Sequence, residues 1–299
     1  MNYHSPVLLE ESIDALAIKE NGMYVDVTFG GGGHSREILN RLGENGRLFG
    51  FDQDPDALGN VIDDKRFTLI PENFRYISRF LRFHGVKKVD GILADLGVSS
   101  HQFDEAERGF SIRFDGDLDM RMNQKSKISA KEIISNYSEE KLAEILFLYG
   151  ELRNSRNIAK TIVEKRQEEK IETSFQLKEV LQRFLPKAKE HKILAQIFQA
   201  IRIEVNEELD VLKEFLEQIP NLLKEEGRLS VISYHSLEDR LVKRFIRTGL
   251  FFGEPEKDVF GNIEVPMLKI GKLIVPNTAE INANNRARSA KLRIATLKK

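Results

Sequence analysis

Short apolar runs separated by polar segments dominate the first hundred residues. These runs predict four buried strands, at 23–29, 47–51, 67–70 and 91–94. Between the first two strands, Ile38, Leu39 and Leu42 recur on one face of a predicted helix. Strands that alternate with helices are typical of a doubly wound, Rossmann-like parallel sheet, so the sequence predicts the α/β class.

The middle of the chain shows helical periodicity instead. Apolar residues there recur at the three- and four-residue spacing of amphipathic helices. Ser129 with Glu132, and Thr173 with Gln176, have the spacing of capping boxes, which mark helix starts. The pattern predicts an all-helical insert at 107–194.

A long helix and a fifth strand are predicted after the insert. The helix spans 193–219 and ends before Pro220, because proline interrupts the hydrogen bonding of a helix interior. The strand spans 227–233. We therefore expect one sheet domain in two parts, 1–106 and 195–299, with the insert between them.

Composition and charge exclude some classes of function. The 299 residues are 41% hydrophobic, enough for a substantial core, and the formal net charge of -1 confines nucleic-acid binding to local basic patches. The absence of cysteine excludes disulfides and cysteine-ligated metal sites and favours a reducing compartment. The six histidines lack the spacing of metal ligands, so no metal site is predicted. Without a membrane-length apolar run or a leader pattern, we expect a cytoplasmic protein with no membrane partner.

Four consecutive glycines mark the first candidate site. Gly30 to Gly33 follow the first predicted strand and precede the helix. Glycine lets the backbone approach a ligand closely, and the start of the helix presents unpaired N–H groups to the same crevice. Asp52 follows the second strand and can accept hydrogen bonds from both hydroxyls of a ribose. The pattern predicts a nucleoside-bearing cofactor.

The loop differs from the common phosphate-binding motifs. The dinucleotide fingerprint requires glycine where Ser35 stands, and no Gly-Lys-Ser or Gly-Lys-Thr is present. An acid before the loop, Asp26, and the lack of a phosphate clamp suit the amino-acid end of S-adenosylmethionine. A nicotinamide dinucleotide and a flexible loop without a ligand are the alternatives.

The ends of the third and fourth predicted strands add two candidates. Phe74 follows the third strand closely, and Asp95 ends the fourth. Functional groups of an open parallel sheet collect at the carboxyl ends of its strands, so Asp52, Phe74 and Asp95 are expected to line one edge. Phe74 could lie against a purine ring or pack in the core.

The last sixty residues differ in charge from the whole chain. They contain thirteen basic and five acidic residues. This imbalance predicts a basic face near the sheet, suited to phosphates, unless the segment is a solvated basic tail. Arg286 and Arg288 are the expected phosphate contacts.

Seven motifs spread over nearly the whole chain resemble the bacterial 16S ribosomal RNA cytosine-N4 methyltransferase family. The motifs are Asp26-Val27-Thr28-Phe29-Gly30-Gly31-Gly32-Gly33-His34-Ser35, Phe51-Asp52-Gln53-Asp54-Pro55, Asp95-Leu96-Gly97-Val98-Ser99-Ser100, Glu107-Arg108-Gly109-Phe110-Ser111, Asp117-Leu118-Asp119-Met120-Arg121-Met122, Tyr234-His235-Ser236-Leu237-Glu238-Asp239-Arg240 and Asn285-Arg286-Ala287-Arg288-Ser289. The resemblance implies a class I fold that uses S-adenosylmethionine, with a helical insert for substrate recognition. It also implies a target cytidine in the decoding centre of 16S ribosomal RNA, within the small ribosomal subunit.

The resemblance assigns cofactor contacts to individual positions. They are Gly32, Gly33, His34, Asp52, Phe74, Asp95 and Gln102. The chain departs from the family at Gly31, where another residue is common, and at Tyr234, where phenylalanine is usual. Neither departure is expected to alter the chemistry.

The target amine determines what a catalytic residue must do. The lone pair of the exocyclic amine of cytosine is delocalised into the ring, so an acceptor for its N–H would favour attack and take up developing charge. Asp95 or a nearby carbonyl is the first candidate, followed by Asp117, Asp119 and His235. The two later aspartates could instead pair with nearby arginines, and His235 could be an ordinary buried histidine.

The substrate base must leave its stack to react, so the insert and the basic segment are expected to hold RNA. The sequence leaves the oligomeric state open, with a homodimer as one option. It also leaves two other functional classes: an NAD-dependent oxidoreductase, and a ribosome-assembly factor that binds cofactor and RNA without turnover.

Overall fold

The computed structural model describes residues 6–261 and 263–298. Seven strands are found in these residues: β1 (Met23–Asp26), β2 (Arg47–Phe51), β3 (Phe67–Ile70), β4 (Val89–Asp95), β5 (Leu223–Ser233), β6 (Met267–Ile274) and β7 (Lys291–Leu297). They form one sheet in the order β3-β2-β1-β4-β5-β7-β6, in which β7 is antiparallel to both neighbours and the other pairings are parallel. This order is that of a class I methyltransferase sheet and confirms the predicted fold class.

The described part of the chain also contains twelve α-helices. They are α1 (Leu9–Ala15), α2 (Gly33–Arg41), α3 (Ile77–Phe83), α4 (Ser100–Asp104), α5 (Ala130–Asn136), α6 (Glu139–Leu148), α7 (Ser155–Glu168), α8 (Ser174–Val180), α9 (Glu190–Asn206), α10 (Glu208–Leu222), α11 (Ser236–Thr248) and α12 (Thr278–Ala283). Short 3-10 helices are Pro55–Asn60, Phe74–Tyr76, Ala106–Arg108, Gln182–Phe184 and Asn285–Ser289. None of the described helices has the length and apolar character needed to cross a membrane.

The chain divides into two compact units. The sheet unit consists of Met1–Gly97 and Leu209–Lys299, and the helical unit consists of Val98–Glu208. The insert predicted at 107–194 lies inside the helical unit, which also includes α4 and the last turns of α9. Apolar residues of both added segments pack on the core of this unit, which is why it extends beyond the predicted bounds.

Local capping signals set the helix starts of the helical unit. Glu132 accepts a hydrogen bond of 2.8 Å from the Ser129 N–H, and Gln176 accepts one of 3.0 Å from the Thr173 N–H. Both predicted capping boxes are therefore confirmed, at the starts of α5 and α8.

The single long helix predicted at 193–219 is wrong. The structure has two helices here, α9 and α10, because Glu207 adopts a left-handed conformation with φ of 50° and ends α9. Pro220 lies inside α10, two residues before its end. Proline lacks one N–H donor, and α10 continues for only two residues beyond it, so the helix ends three residues later than the sequence predicted.

The alternative of a solvated basic tail does not describe residues 291–297. Residues Lys291–Leu297 form β7, inserted between β5 and β6. Within this segment, Lys291 and Arg293 form ion pairs with Asp239, at 3.3 Å and 2.6 Å. Part of the positive charge counted in the sequence is thus neutralised inside the sheet unit.

The central strands are buried on both faces, and their register aligns their carboxyl ends. All residues of β4 before Asp95 are buried, as expected for a parallel strand covered by helices on each side. Asp26 pairs in register with Leu93, and Asp95 with Ile232. The carboxyl ends of β1, β4 and β5 therefore meet at one edge of the sheet.

Candidate active site

Carboxylates occupy the carboxyl ends of three neighbouring strands. Asp26 ends β1, Asp95 ends β4, and Asp52 directly follows β2. Because β1 lies between β2 and β4, the strand order reverses at β1, and ligands of open α/β sheets bind at such a switch point. The expectation that Asp52 and Asp95 share this edge is confirmed.

The glycine loop follows β1 as predicted. Gly30 and Gly32 have φ of 50° and 75°, which side chains other than glycine rarely adopt. A Cβ at Gly32 would lie 2.9 Å from the Phe29 ring, so glycine is also needed for close packing. The first N–H groups of α2, which begins at Gly33, face outward from the helix end without intrahelical partners.

Gly33 permits the N-terminal segment to pass close to the loop. A Cβ there would overlap Pro6 Cγ, whereas a Cβ at Gly59 would meet no atom within 4 Å. We expect Gly33→Ala to lower the free energy of unfolding by about 1–3 kcal/mol, and Gly59→Ala to leave it nearly unchanged. Chemical denaturation of both variants measures the difference. Equal stability of Gly33→Ala and the wild type would contradict the packing described for this loop.

Asp52 is held by backbone groups while keeping acceptor capacity. Its carboxylate accepts hydrogen bonds from the Gly30 N–H at 2.7 Å and the Asp54 N–H at 2.8 Å. Burial raises the pKa of Asp52 to about 6, against the effect of these hydrogen bonds. A carboxylate has about four acceptor positions, so two remain for the hydroxyls of a ribose.

Asp26 has a different role from that of Asp52. It is buried and accepts hydrogen bonds from Ser35 Oγ at 2.7 Å and from the Thr28 N–H at 3.1 Å. Burial raises the pKa of Asp26, while the charge of His34 and these hydrogen bonds oppose the rise. Asp26 therefore ties the end of β1 to the first turn of α2 and fixes the loop.

Asp95 is oriented by three residues. Its Oδ1 accepts a hydrogen bond of 2.8 Å from the Tyr234 hydroxyl, and its N–H donates one of 2.7 Å to Thr28 Oγ1. Its Oδ2 lies 3.8 Å from His34 Nδ1 and accepts no hydrogen bond from the described residues. Burial raises the pKa of Asp95 to about 6, opposed by His34 and Tyr234. The carboxylate is thus fixed on one side and open on the other.

Sequence reasoning missed the part that Tyr234 takes in this site. Tyr234 was treated as a neutral replacement for phenylalanine, but its hydroxyl is the group that binds Asp95. Glu238 Oε2 accepts a hydrogen bond of 3.0 Å from the Tyr234 N–H and so fixes the turn between β5 and α11. The signal was its place directly after β5, the strand that neighbours β4 at Asp95.

His34 links the loop to the N-terminal segment. The ring is buried at the first turn of α2, and its Nε2 lies 3.2 Å from the Val7 carbonyl. If the neutral ring carries its proton on Nε2, this N–H donates to the Val7 carbonyl. Nδ1, the nitrogen nearer Asp95, then carries no proton. His34 therefore lies beside Asp95, as the assignment of both to one site predicted.

Phe74 packs against the core of the sheet unit. Its ring meets Phe215 edge to face, with centroids 5.2 Å apart, and it is only partly buried. Neighbouring residues are fixed as well, since Asn73 donates a hydrogen bond of 2.9 Å to Gln53. Core packing of Phe74 is confirmed, and a contact between its exposed edge and a purine stays a prediction.

His235 lies at the start of α11. It occupies the position that caps this helix. Its side chain is nearly buried, and Nε2 lies 3.1 Å from Glu238 Oε1 without the angle of a hydrogen bond. This placement gives His235 a structural partner in its own helix, and its catalytic role stays a prediction.

Two predicted residues belong to the helical unit. Gln102 is buried, and its Oε1 accepts a hydrogen bond of 2.9 Å from the Ser99 N–H, which caps α4. Asp117 is exposed and forms an isolated β-bridge with Thr173. The cofactor contact of Gln102 and the catalytic role of Asp117 stay predictions.

Asp119 forms the arginine pair that the sequence offered as an alternative. Its two oxygens accept hydrogen bonds from Arg121 Nε at 2.9 Å and Nη2 at 2.6 Å. Burial raises the pKa of Asp119, but Arg121 outweighs this effect and holds the pKa below its usual range. A permanently ionised, fully paired carboxylate is a poor proton acceptor.

Arg286 and Arg288 lie on the 3-10 helix between α12 and β7. Arg288 is exposed and Arg286 is partly buried. Asn284 accepts a hydrogen bond of 3.1 Å from the Arg286 N–H and fixes the start of this turn. Their contact with RNA phosphates stays a prediction.

Nearly the whole chain matches a known family. The profile of the MraW methylase family matches residues 1–298. Three similar proteins, each described as ribosomal RNA small subunit methyltransferase H, come from Flavobacterium johnsoniae, Flavobacterium psychrophilum and Bacteroides fragilis. The first is 65% identical over 295 residues, 99% of this chain and 98% of the relative. The second is 66% identical over 291 residues, 97% and 100% of the two chains.

The third relative is 56% identical over 297 residues, which are 99% of this chain and 98% of the relative. The family resemblance inferred from the seven motifs is therefore confirmed. The match also decides against the oxidoreductase that shares the strand, loop and acid pattern. Taken with the sheet order and the carboxylates at its switch point, these findings show that the chain belongs to the MraW methylase family.

Proposed function

We propose that this protein transfers a methyl group from S-adenosylmethionine to the N4 amine of a cytidine in 16S ribosomal RNA. The chain is a methyltransferase with ribosomal RNA as its substrate. One observation carries the site assignment: Asp52 and Asp95, which flank the glycine loop at the switch point, each keep open acceptor positions.

The residues at this edge fit S-adenosylmethionine. Asp52 would accept the ribose hydroxyls, and the start of α2 offers N–H groups and a partial positive charge to the carboxylate of the amino-acid end. Gly32, Gly33 and His34 form the loop between these two contacts. When bound, the cofactor supplies a methyl group that is already activated on a sulfonium ion.

Asp95 performs the proton chemistry in this proposal. Transfer would form the bond between N4 and the methyl carbon as the sulfur–methyl bond breaks, which leaves a neutral thioether and an amine with an excess proton that must be removed. Asp95 Oδ2 would accept the N–H of the amine and then the proton, while Tyr234 holds Oδ1. Because the pKa of Asp95 is about 6, its carboxylate is ionised and able to accept at neutral pH.

The surrounding roles follow from the substrate. We propose that the helical unit recognises the substrate and that Arg286 and Arg288 contact its phosphates. Ribosomal RNA as substrate also favours action on the small ribosomal subunit, in the cytoplasm. Comparing naked RNA with assembled subunits as substrate distinguishes these forms.

Transfer of labelled methyl from S-adenosylmethionine to 16S ribosomal RNA and to small subunits, followed by nucleoside analysis, tests the proposal. The expected product is N4-methylcytidine at one position. Label in another nucleoside would overturn the assignment of the acceptor. Tight cofactor binding without label in either substrate would favour a non-catalytic assembly factor.

A further inference from the structure

A cavity of about 370 Å³ lies between α11 and β6 of the sheet unit, outside the site described above. Of its twelve lining residues, five are basic, seven are apolar and none is acidic. The basic residues are Lys243, Arg247, Lys269, Lys272 and Arg293. A concave surface of this size with apolar walls and a few charged groups is typical of a ligand site.

Four of these cations have no ion-pair partner among the described residues. Lys243 and Arg247 are exposed and lie four residues apart on α11. Residues at this spacing are neighbours on one face of a helix, so the two positive charges repel each other. Lys269 and Lys272 are exposed on β6. Arg293 differs, because Asp239 already pairs with it. Unpaired like charges around one cavity create a strong local preference for an anion.

An irregularity in β6 brings its two lysines to the same cavity. Residues three apart on a regular strand point to opposite faces. The pairing of β6 with β7 shifts register between Ile270 and Ile274, and Gly271 has φ of 62°. Such a bulge re-aims side chains, which explains how Lys269 and Lys272 both line the cavity.

We infer that this cavity binds the RNA substrate away from the target nucleotide, with phosphates on the four cations and an unstacked base on the apolar floor. Val265, Ile270 and Leu273 line the cavity and are at least partly exposed, so they contribute to that floor. An unstacked base can pack against apolar side chains, and contacts to phosphates account for most of the affinity. The inference rests on the proposed function, since that function supplies RNA as the polyanion.

The position of the cavity along α11 suits this role. α11 begins directly after Tyr234 and His235, beside Asp95. Lys243 and Arg247 are seven and eleven residues beyond its first residue, or about 10 Å and 16 Å along the helix axis. The cavity would therefore hold nucleotides near the target base in the same strand.

The test removes the four cations together, as Lys243→Ala, Arg247→Ala, Lys269→Ala and Lys272→Ala. The matched control removes four exposed cations that do not line the cavity: Arg47 on β2, Lys65 before β3, Arg82 on α3 and Lys87 before β4. Affinity for naked 16S ribosomal RNA is measured from 50 mM to 500 mM salt. Thermal unfolding and affinity for S-adenosylmethionine establish that each variant is folded.

We expect the cavity variant to bind RNA about a hundredfold more weakly near 0.15 M salt, with a salt dependence lower by about three counterions. The control variant should show a small loss, and Lys→Arg at the three lysines should retain binding.

Equal binding by the cavity and control variants would overturn the inference. Loss of affinity for small subunits but not for naked RNA would overturn it too, because the cavity would then bind a ribosomal protein. Failure of methyl transfer by the wild type would instead refute the proposed function, since RNA affinity is measured without turnover.

Discussion

Asp95→Asn should lower the rate of methyl transfer at saturating S-adenosylmethionine by about 10² to 10⁴-fold, the usual contribution of a positioned proton acceptor. Asparagine preserves the size of the side chain but cannot take up the proton that leaves the N4 amine. The measurement is single-turnover methyl transfer to 16S ribosomal RNA. A rate within threefold of the wild type would remove Asp95 from the mechanism.

Asp90→Asn is the matched control, since Asp90 is a buried aspartate on the same strand. It lies at the other end of β4, where it pairs with Lys224 at 2.7 Å and accepts the Met23 N–H at 2.9 Å. Loss of these contacts should lower stability without changing the rate of the chemical step. A general effect of altering β4 would instead slow both variants alike.

The pH dependence of the rate identifies the acceptor further. Burial raises the pKa of Asp95 to about 6. The charges of Asp26 and Glu238 also raise this pKa, whereas His34 and the Tyr234 hydroxyl lower it. The rate should therefore fall about tenfold per pH unit below pH 6, as protonation removes the ionised form. Tyr234→Phe removes a hydrogen bond to the ionised carboxylate of Asp95. The acidic limb of the pH–rate profile should therefore move to higher pH by about one unit. An unmoved limb would show that Tyr234 does not act through Asp95.

Asp52→Asn should weaken binding of S-adenosylmethionine by about a hundredfold or more. The variant loses charge-assisted hydrogen bonds to the ribose, each worth about 1.5–3 kcal/mol. Its amide nitrogen would also face the N–H of Gly30 or Asp54 as a second donor. Calorimetric titration with the cofactor measures the affinity. Asp63→Asn, an exposed aspartate between Asp52 and β3, serves as the control.

The wild-type affinity should also depend on pH through Asp52. In the folded protein without cofactor its pKa is about 6, so the carboxylate is neutral below pH 6 and must ionise to accept both hydroxyls. Affinity should fall about tenfold per unit below pH 6 and level off above it. The slope should be absent in Asp52→Asn. A slope that persists in this variant would assign the titration to another group.

Much of the candidate site follows from local sequence. The glycines after β1 and the acids at the ends of β2 and β4 were placed correctly, because strand ends and loop glycines are dictated by short-range rules. The alternation of strands and helices likewise predicted the α/β class. These features also carry the family resemblance, which the family match confirmed.

Other features were not predicted correctly, because the local sequence pattern at these positions is ambiguous. The break at Glu207 interrupts an apolar stripe that continues on both sides, so periodicity gave one helix. The strands β6 and β7 carry many charged residues and a bulge, which disguise their alternation.

The sequence by itself determined the class of fold, the glycine loop and the two carboxylates to which we assign cofactor binding and proton transfer. Only the tertiary structure decided how those carboxylates are held. Tyr234 and Asp95 are 139 residues apart in the chain, and they meet because β5 lies beside β4. The four exposed cations of the α11–β6 cavity likewise come together through sheet pairing and a bulge. Such contacts depend on the burial of distant strands against each other, which no local pattern specifies.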